Sequence, residues 1–373
     1  MVADPLALFS GSPHRCLWWS ARPLGRRLMP AATAASQPTA GYRLPAEWEL
    51  HTATWLAWPH RRQTFLGDFA DIPPAFVRLV RLLAGYEPVR VIGTGPVLDD
   101  AQANLQGIAN VELIDIPTSD SWLRDTGPIF LKPLAGGPTL AVLFDFNAWG
   151  GKYPPWDADA AVAGQIAAHL GLEAVRPGIV LEGGGIDTDG EGTLLVNHRC
   201  IDDPRRNPDR SRDELAALLK QSLGIERVLW VGGELAGDDT DGHIDQLARF
   251  VAPGRVLVAR QPDTADPNHL PLEANLALLQ TLTDARGRPL EVIPLDLPPR
   301  VGFAGVQLPA SYLNFYLLNN AVILPTFDRA TDAAAVATLA TLFPGRTIEP
   351  FSALELIRGR GAVHCVTRDQ PAG

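Results

Sequence analysis

The sequence predicts an α/β protein in which several short helix–strand units close around one polar, central site. Two observations carry this expectation. From Tyr42 onward an amphipathic helix, a turn and a short β-branched strand recur, and the residues after the strands repeatedly combine glycine with a polar group. Strand ends of that composition are where α/β folds place ligands. An open, doubly wound sheet is the second architecture that such a pattern allows.

The first unit is a helix over 74–84, with Phe76, Val77, Val80 and Leu83 on one face, followed by a strand over 88–93. Helix 97–107 leads into strand 111–116, and helix 157–170 into 174–180. Helix 211–223 precedes 227–232, helix 271–284 precedes 290–296, and helix 332–343 precedes 347–351. Beyond the crowded first two, the strands recur about every 60 residues with little literal repetition, which does not suit a solenoid. The segments after the strands are polar and glycine-rich: residues 119–128 contain Trp122, Arg124 and Asp125, and 181–187 contain Glu182 and three glycines. The stretch 238–245 contains Asp238, Asp239, His243 and Asp245; 309–315 comes after the next unit, and 358–365, with Arg360 and Cys365, after the last.

Composition narrows the function. At 373 residues and 46% hydrophobic, the chain can bury one large core or two ordinary ones. Its formal net charge of −10, with no basic patch interleaved with aromatics, argues against a nucleic-acid partner and weakly favours cationic small molecules. Cys16, Cys200 and Cys365 form neither a disulfide framework nor a zinc spacing, so a reducing, cytoplasmic setting fits. No apolar run reaches the roughly 18 residues that span a bilayer, and no membrane association is expected. Residues 1–40 carry Arg15, Arg22, Arg26 and Arg27 and then an Ala/Ser/Pro/Thr-rich stretch. They read as a disordered leader, or as sequence upstream of a start at Met29; the apolar Cys16–Trp19 is too short for a secretory segment. Residues 41–373 are then expected to form a single catalytic domain. A homo-oligomer is compatible with the sequence, which does not fix the oligomeric state.

The chemistry rests on five residues. If the chain runs extended at 243–245, His243 and Asp245 project to one face, an imidazole beside a carboxylate. The competing reading is a loop of solvated acids. Cys365, in a glycine-rich and strand-like setting, is a candidate nucleophile with His243 as acid/base; its competing reading is a small buried hydrophobe. His364, one residue away, would point to the opposite face and reads as structural. Asp125 and Glu182 add carboxylates, although Arg124 beside Asp125 could be a local ion pair and Glu182 a turn acid. The three glycines at 183–185 lack the spacing of a dinucleotide site. Three acids with one His and one Cys lack a firm metal-ligand spacing and suit a delocalised cation better. Guanidinium is the cation whose rigid fork of donors carboxylates accept in pairs.

The stretches Leu-Pro-Ala-Glu-Trp-Glu-Leu-His (44–51), Thr-Trp-Leu-Ala-Trp-Pro (54–59) and Trp-Leu-Arg-Asp-Thr-Gly-Pro (122–128) resemble the agmatine deiminase family, the bacterial peptidylarginine-deiminase-like group. So do Phe-Asn-Ala-Trp-Gly-Gly-Lys (146–152), Leu-Glu-Gly-Gly-Gly (181–185), Asp-Gly-His-Ile-Asp (241–245), Ser-Tyr-Leu-Asn-Phe-Tyr (311–316) and Val-His-Cys-Val-Thr (363–367). The resemblance runs from about residue 42 to 370, in the family's order. It implies a pentein α/β propeller of five pseudo-symmetric ββαβ units around a central active site. It also implies hydrolysis of agmatine to N-carbamoylputrescine and ammonia, a step toward putrescine and polyamines, through a covalent thiouronium. By the same resemblance Cys365 is the nucleophile, His243 the general acid/base, Glu182 its holder, and Asp125 and Asp245 the guanidinium ligands. Trp122 and the 146–152 loop would wall the pocket, and no metal or organic cofactor is required. Two features depart from the family: Arg360 interrupts a glycine run, and Asp241 stands where agmatine-specific members often carry Asn. The closest alternative is the same chemistry on peptidyl- or free arginine, whose carboxylate would want a cation such as Arg360. Amidine transfer, a papain-like hydrolase and a non-catalytic binding protein on the same fold are more distant.

Overall fold

Helices form where apolar side chains recur with helical spacing, and all six expected helices are present in the structure, a computed structural model that describes residues 39–373. They are Ile72–Ala84, Pro96–Leu105, Asp157–His169, Arg212–Leu223, His269–Leu279 and Asp332–Leu342. The leader expected over 1–40, and the start at Met29, lie outside the described residues except for Thr39 and Ala40. Ile72–Ala84 opens on prolines that need no amide partner there and buries Phe76, Leu79, Val80 and Leu83. Arg212–Leu223 starts at a capping box, Ser211 with Glu214, and ends at Gly224 in the left-handed region (φ 66°).

Two boundaries differ from expectation. His269–Leu279 stops five residues short of 284 because Asp284 builds a turn of its own, its carboxylate accepting the amides of Arg286 and Arg288 at 2.9 Å each. The strand expected over 174–180 is only Ala174–Val175, with a lone bridge from Val180 to Asp145, since Pro177 and Gly178 interrupt the ladder.

The strands that precede each helix complete the architecture. His51–Ala57 pairs in parallel with Val89–Gly93 across Ile72–Ala84 and antiparallel with the last strand, Thr367–Pro371. Leu140–Val142 sits between antiparallel Ile129–Pro133 and parallel Ala174–Val175. The same pairing holds for Thr193–Asn197 between Ile186–Thr188 and Arg227–Val231, and for Arg255–Arg260 between Ala248–Ala252 and Glu291–Asp296. Ala321–Thr326 repeats it between Tyr316–Leu317 and Thr347–Ser352. Among the described residues these make five sheets of three or four strands and one two-stranded ribbon. No sheet closes on itself, and no single open sheet runs through the molecule. The result is a mixed α/β fold of small separate sheets, each backed by its own helix. Pairing of the last strand with His51–Ala57 returns the chain to its start and sets Cys365 beside the first sheet. No helix among the described residues is long and apolar enough to cross a membrane.

Phe76 is fully buried and meets the Trp58 ring edge-on at 6.3 Å. Phe76→Ala should lower stability by about 3–5 kcal/mol through lost burial and a residual cavity. Urea unfolding, read by the shift in midpoint at constant slope, checks it.

Candidate active site

Cys365 lies in one turn of helix, Val363–Val366, rather than in the expected strand. The turn is set by Asn314, whose side-chain carbonyl accepts the amides of His364 (3.1 Å) and Cys365 (3.3 Å) while its NH2 group donates to the Cys365 sulfur (3.1 Å). Gly361 allows the approach: a Cβ there would stand 2.9 Å from that of Cys365 and 2.5 Å from the Trp122 ring.

The chain also turns after His243, into a 3-10 turn over Ile244–Gln246, so the extended geometry expected for His243 and Asp245 is absent. Asp245 instead points its Oδ2 to His364 Nδ1 (2.7 Å) and lies 3.6 Å from the Cys365 sulfur. His364, read from the sequence as a structural residue facing away, is thus the partner of Asp245, because a helical turn rather than a strand carries it. Its other nitrogen meets Glu47 at 2.8 Å. Asp245 Oδ1 is buried with no hydrogen-bond partner, as are both ring nitrogens of His243.

Asp125 sits in the turn Leu123–Thr126 and accepts from the Gly184 amide (2.9 Å) and Trp149 Nε1 (3.0 Å). Arg124 does not pair with Asp125; it bonds Asp369 at 3.0 Å and lies 3.1 Å from Glu47. His243 Nδ1 is 3.7 Å from Asp125, and its Nε2 is 3.8 Å from Glu182. A side chain at Gly184 would collide with both His243 and Asp125, at 2.5 and 2.9 Å. Glu182 is fully buried, and both its oxygens accept from Arg206 Nε (2.8 and 3.0 Å). No hydrogen bond joins His243 to Cys365.

Charge is tuned by these neighbours. Burial, then Asp245 and Asp125, push the Cys365 thiol well above its ordinary range. Burial also raises Asp125, against the opposing pull of His243. For Glu182 burial acts upward, but Arg206 and His243 bring it down to about 2. Burial alone would lower His243; Asp125, then Cys200 and Glu182, outweigh it and hold the imidazole well above its usual value.

A cavity of about 290 Å3 opens onto this cluster, lined by Cys365, Asp125, Trp122 and Trp149 among its buried residues and by Asp239 and Arg360 among its more exposed ones. Trp122 is both wall and core: it is 6% exposed and packs on Phe65 at 5.8 Å. Of the 146–152 loop, Trp149 lines the cavity, and Lys152 ties the loop down through Asp241 at 2.7 Å. The structure therefore brings Asp125, Glu182, His243, Asp245 and Cys365 into one contiguous buried group. Asn314, Arg206, Cys200 and Asp239 have no assigned role in the sequence reading. Asn314 lies in a stretch that the sequence places facing the site, whereas nothing local in the sequence singles out Arg206. Glu182, Cys200 and His243 place ligand atoms within 4.8 Å of one another, a geometry open to a metal. The Arg206 guanidinium on Glu182 opposes a second cation there.

The chain belongs to the Porphyromonas-type peptidyl-arginine deiminase family, whose model matches residues 43–371. It is 38% identical to a putative agmatine deiminase of Legionella pneumophila (strain Paris) over 337 residues, covering 89% of this chain and 96% of that one. It is 36% identical to an agmatine deiminase of Ectopseudomonas mendocina, over 91% and 98% of the two chains. Among solved structures it is similar to the agmatine deiminase of Enterococcus faecalis, with a TM-score of 0.86 at 30% identity, covering 91% of this chain and 98% of that one.

The charge and the cavity lead to two expected outcomes. Burial and carboxylates favour S–H over thiolate, so iodoacetamide should alkylate Cys365 in the empty protein with a pH midpoint above the ordinary value of about 8.5. Cationic haloacetamidines should react much faster; a midpoint well below 7 without that preference would indicate a standing Cys–His ion pair. Trp122→Ala should raise KM for a guanidine substrate by about tenfold while covalent labelling of Cys365 persists. An unchanged KM in a folded variant would remove Trp122 from the pocket wall.

Proposed function

We propose that this protein is an agmatine deiminase, a hydrolase that converts agmatine and water to N-carbamoylputrescine and ammonia in putrescine and polyamine biosynthesis. The observation that carries the reading is the Cys365 sulfur at the buried end of a small cavity, between Asp125 and Asp245. Family membership and the near full-length similarity to agmatine deiminases support it. Such a site suits a planar cation with a carbon to be attacked, and opposes the oxyanion of amide hydrolysis.

In this mechanism Asp125 and the open Oδ1 of Asp245 accept N–H donors of the guanidinium. The bound cation offsets the carboxylates that hold the thiol up, so the Cys365 proton passes to solvent and the sulfur bonds to the guanidine carbon. His243, protonated in the empty site, gives a proton to one amino group of the tetrahedral adduct. That C–N bond breaks, ammonia leaves, and a thiouronium remains on Cys365. His243, now neutral, takes a proton from water as the water oxygen attacks the same carbon. The C–S bond then breaks, the departing thiolate takes the proton of the new hydroxyl as it becomes the ureido carbonyl, His243 keeps the proton it took from water, and the product departs. Glu182, fixed by Arg206, orients His243. We read the five sheets of three or four strands as five ββαβ units arranged around this cavity, and the protein as acting in the cytoplasm.

Turnover of agmatine, followed by N-carbamoylputrescine in mass spectrometry and by released ammonia, tests the proposal. Cys365→Ser should lower kcat at least ~10³-fold with the fold intact. No ureido product from agmatine, arginine or a peptide ending in arginine would overturn it.

A further inference from the structure

His243 is fully buried, and among the described residues neither of its ring nitrogens has a hydrogen-bond partner. The ring is therefore held by what packs on its two edges, and adjacent glycines define them. A Cβ at Gly184 would stand 2.5 Å from Nδ1 and 3.1 Å from Cε1, whereas a Cβ at Gly185 would stand 4.0 Å from Cδ2. The Nδ1 edge thus faces Gly184 and Asp125, a residue of the cavity wall. The Nε2 edge faces Gly185 and Glu182, away from the cavity.

Cys200 closes that second edge. It is buried in the turn His198–Ile201 and does not line the cavity. Its thiol donates to Glu182 Oε2 at 3.4 Å, the same oxygen that lies 3.8 Å from His243 Nε2. A Cβ at Gly185 would also stand 3.4 Å from the Cys200 sulfur, so thiol and imidazole meet over one glycine. The sulfur, a Glu182 oxygen and a His243 nitrogen all lie within 4.8 Å of one another. Burial and Glu182 push the Cys200 thiol up, so it remains S–H. A thiol that spends its proton on Glu182 keeps sulfur lone pairs, which can only accept. Such a neighbour favours N–H over a bare ring nitrogen at Nε2.

We propose that Cys200 is a positioning residue for His243. Together with Glu182 it keeps a proton on Nε2 and leaves Nδ1, beside Asp125, as the atom that protonates the departing amine and takes a proton from water. This rests on the guanidine-hydrolase reading of the Cys365 site. Asp125, Glu182 and Cys200 face the ring from three other segments, while Asp238 and Asp245 act on it from its own stretch. Of these, Asp125, Cys200 and Glu182 hold the imidazolium above its usual range, so losing Cys200 removes one contribution.

Two measurements on the full chain test this. The first needs no turnover. In nitrogen NMR of histidine-labelled protein, with His243 assigned by its absence in His243→Gln, the neutral ring should carry its proton on Nε2. The second is the pH profile of agmatine turnover. The proposed mechanism needs His243 protonated, so kcat falls as pH rises through its pKa. Cys200→Ala should move that alkaline limb to lower pH and reduce kcat about tenfold, with KM unchanged within about twofold. Cys200→Ser, whose hydroxyl keeps both a donor and an acceptor, should regain most of both effects. A merely structural role would lower the melting temperature and leave the limb in place. An Nδ1–H tautomer in the neutral wild-type ring overturns the inference, as does a Cys200→Ala profile that superimposes on wild type after scaling. Absence of ureido product from every guanidine overturns the underlying reading instead, and the NMR tautomer still decides which ring nitrogen Cys200 serves.

Discussion

The groups behind Cys365 are tied together by one nearly buried carboxylate, Glu47, whose side chain is 9% exposed. It accepts from His364 Nε2 (2.8 Å), Arg249 Nη2 (3.1 Å) and the Leu317 amide (2.9 Å), and lies 3.1 Å from Arg124. Burial would push Glu47 up, but Arg249, His364 and Arg124 hold it well below its usual range. Through His364 the arrangement continues to Asp245, and from Asp245 to the Cys365 sulfur. Breaking one member would strand the others as uncompensated buried charge, a loss of about 3–5 kcal/mol in comparable pairs. The turn that carries Cys365, near the end of the chain, is therefore positioned by a residue of the first strand region. The pairing of Thr367–Pro371 with His51–Ala57 brings the two together.

The same surroundings push the Cys365 thiol well above its ordinary range. Around the site, Arg206 pairs with Glu182, His364 with Asp245, and Arg249 with Asp187 and Glu47. Asp125 has only two neutral N–H donors and a distant imidazole, and Asp245 keeps one oxygen without a partner. The unmet acceptor capacity lies beside the sulfur, where the proposed guanidinium would complete the local charge. In the proposed mechanism, selectivity for a cation and activation of Cys365 would both arise from these two carboxylates.

Much of this was legible in the sequence because it depends on periodicity and on glycines beside polar residues. The six helices and five of the six strands that come after them lie close to their expected places, and Asp125, Glu182, His243, Asp245 and Cys365 meet in one buried group. The local geometry was less legible. Alternation at 243–245 suggested an extended chain, but it turns there, and the Gly-rich stretch before Cys365 enters a helical turn made by Asn314, some fifty residues earlier in sequence. No local pattern announces a bond of that range. Arg206 and Glu47 were hidden for the same reason: their significance lies in what faces them across the fold. The strands preceding each helix escaped a helix-then-strand reading because they are buried on both faces and lack a period of two.

The two ends of the cavity are also encoded differently. At the reacting end, Gly184 and Gly361 occupy positions where any side chain would collide with His243, Asp125, Trp122 or Cys365, so steric exclusion leaves little room for change. Arg360 at the mouth and Asp241 in the stretch before His243 both hold left-handed backbone as non-glycine residues, and both place their side chains in ion pairs, with Asp239 and with Lys152, Arg205 and Arg206. Asp tolerates that conformation better than most residues, as Asn does, whereas Arg must be held there by its contacts. Asp241 reaches the buried charges through Arg206, which also holds Glu182, whereas Arg360, among the described residues, meets only Asp239 and Tyr153. Close packing thus constrains the Cys365 end of the cavity more tightly than its mouth, where Arg360 is a third exposed.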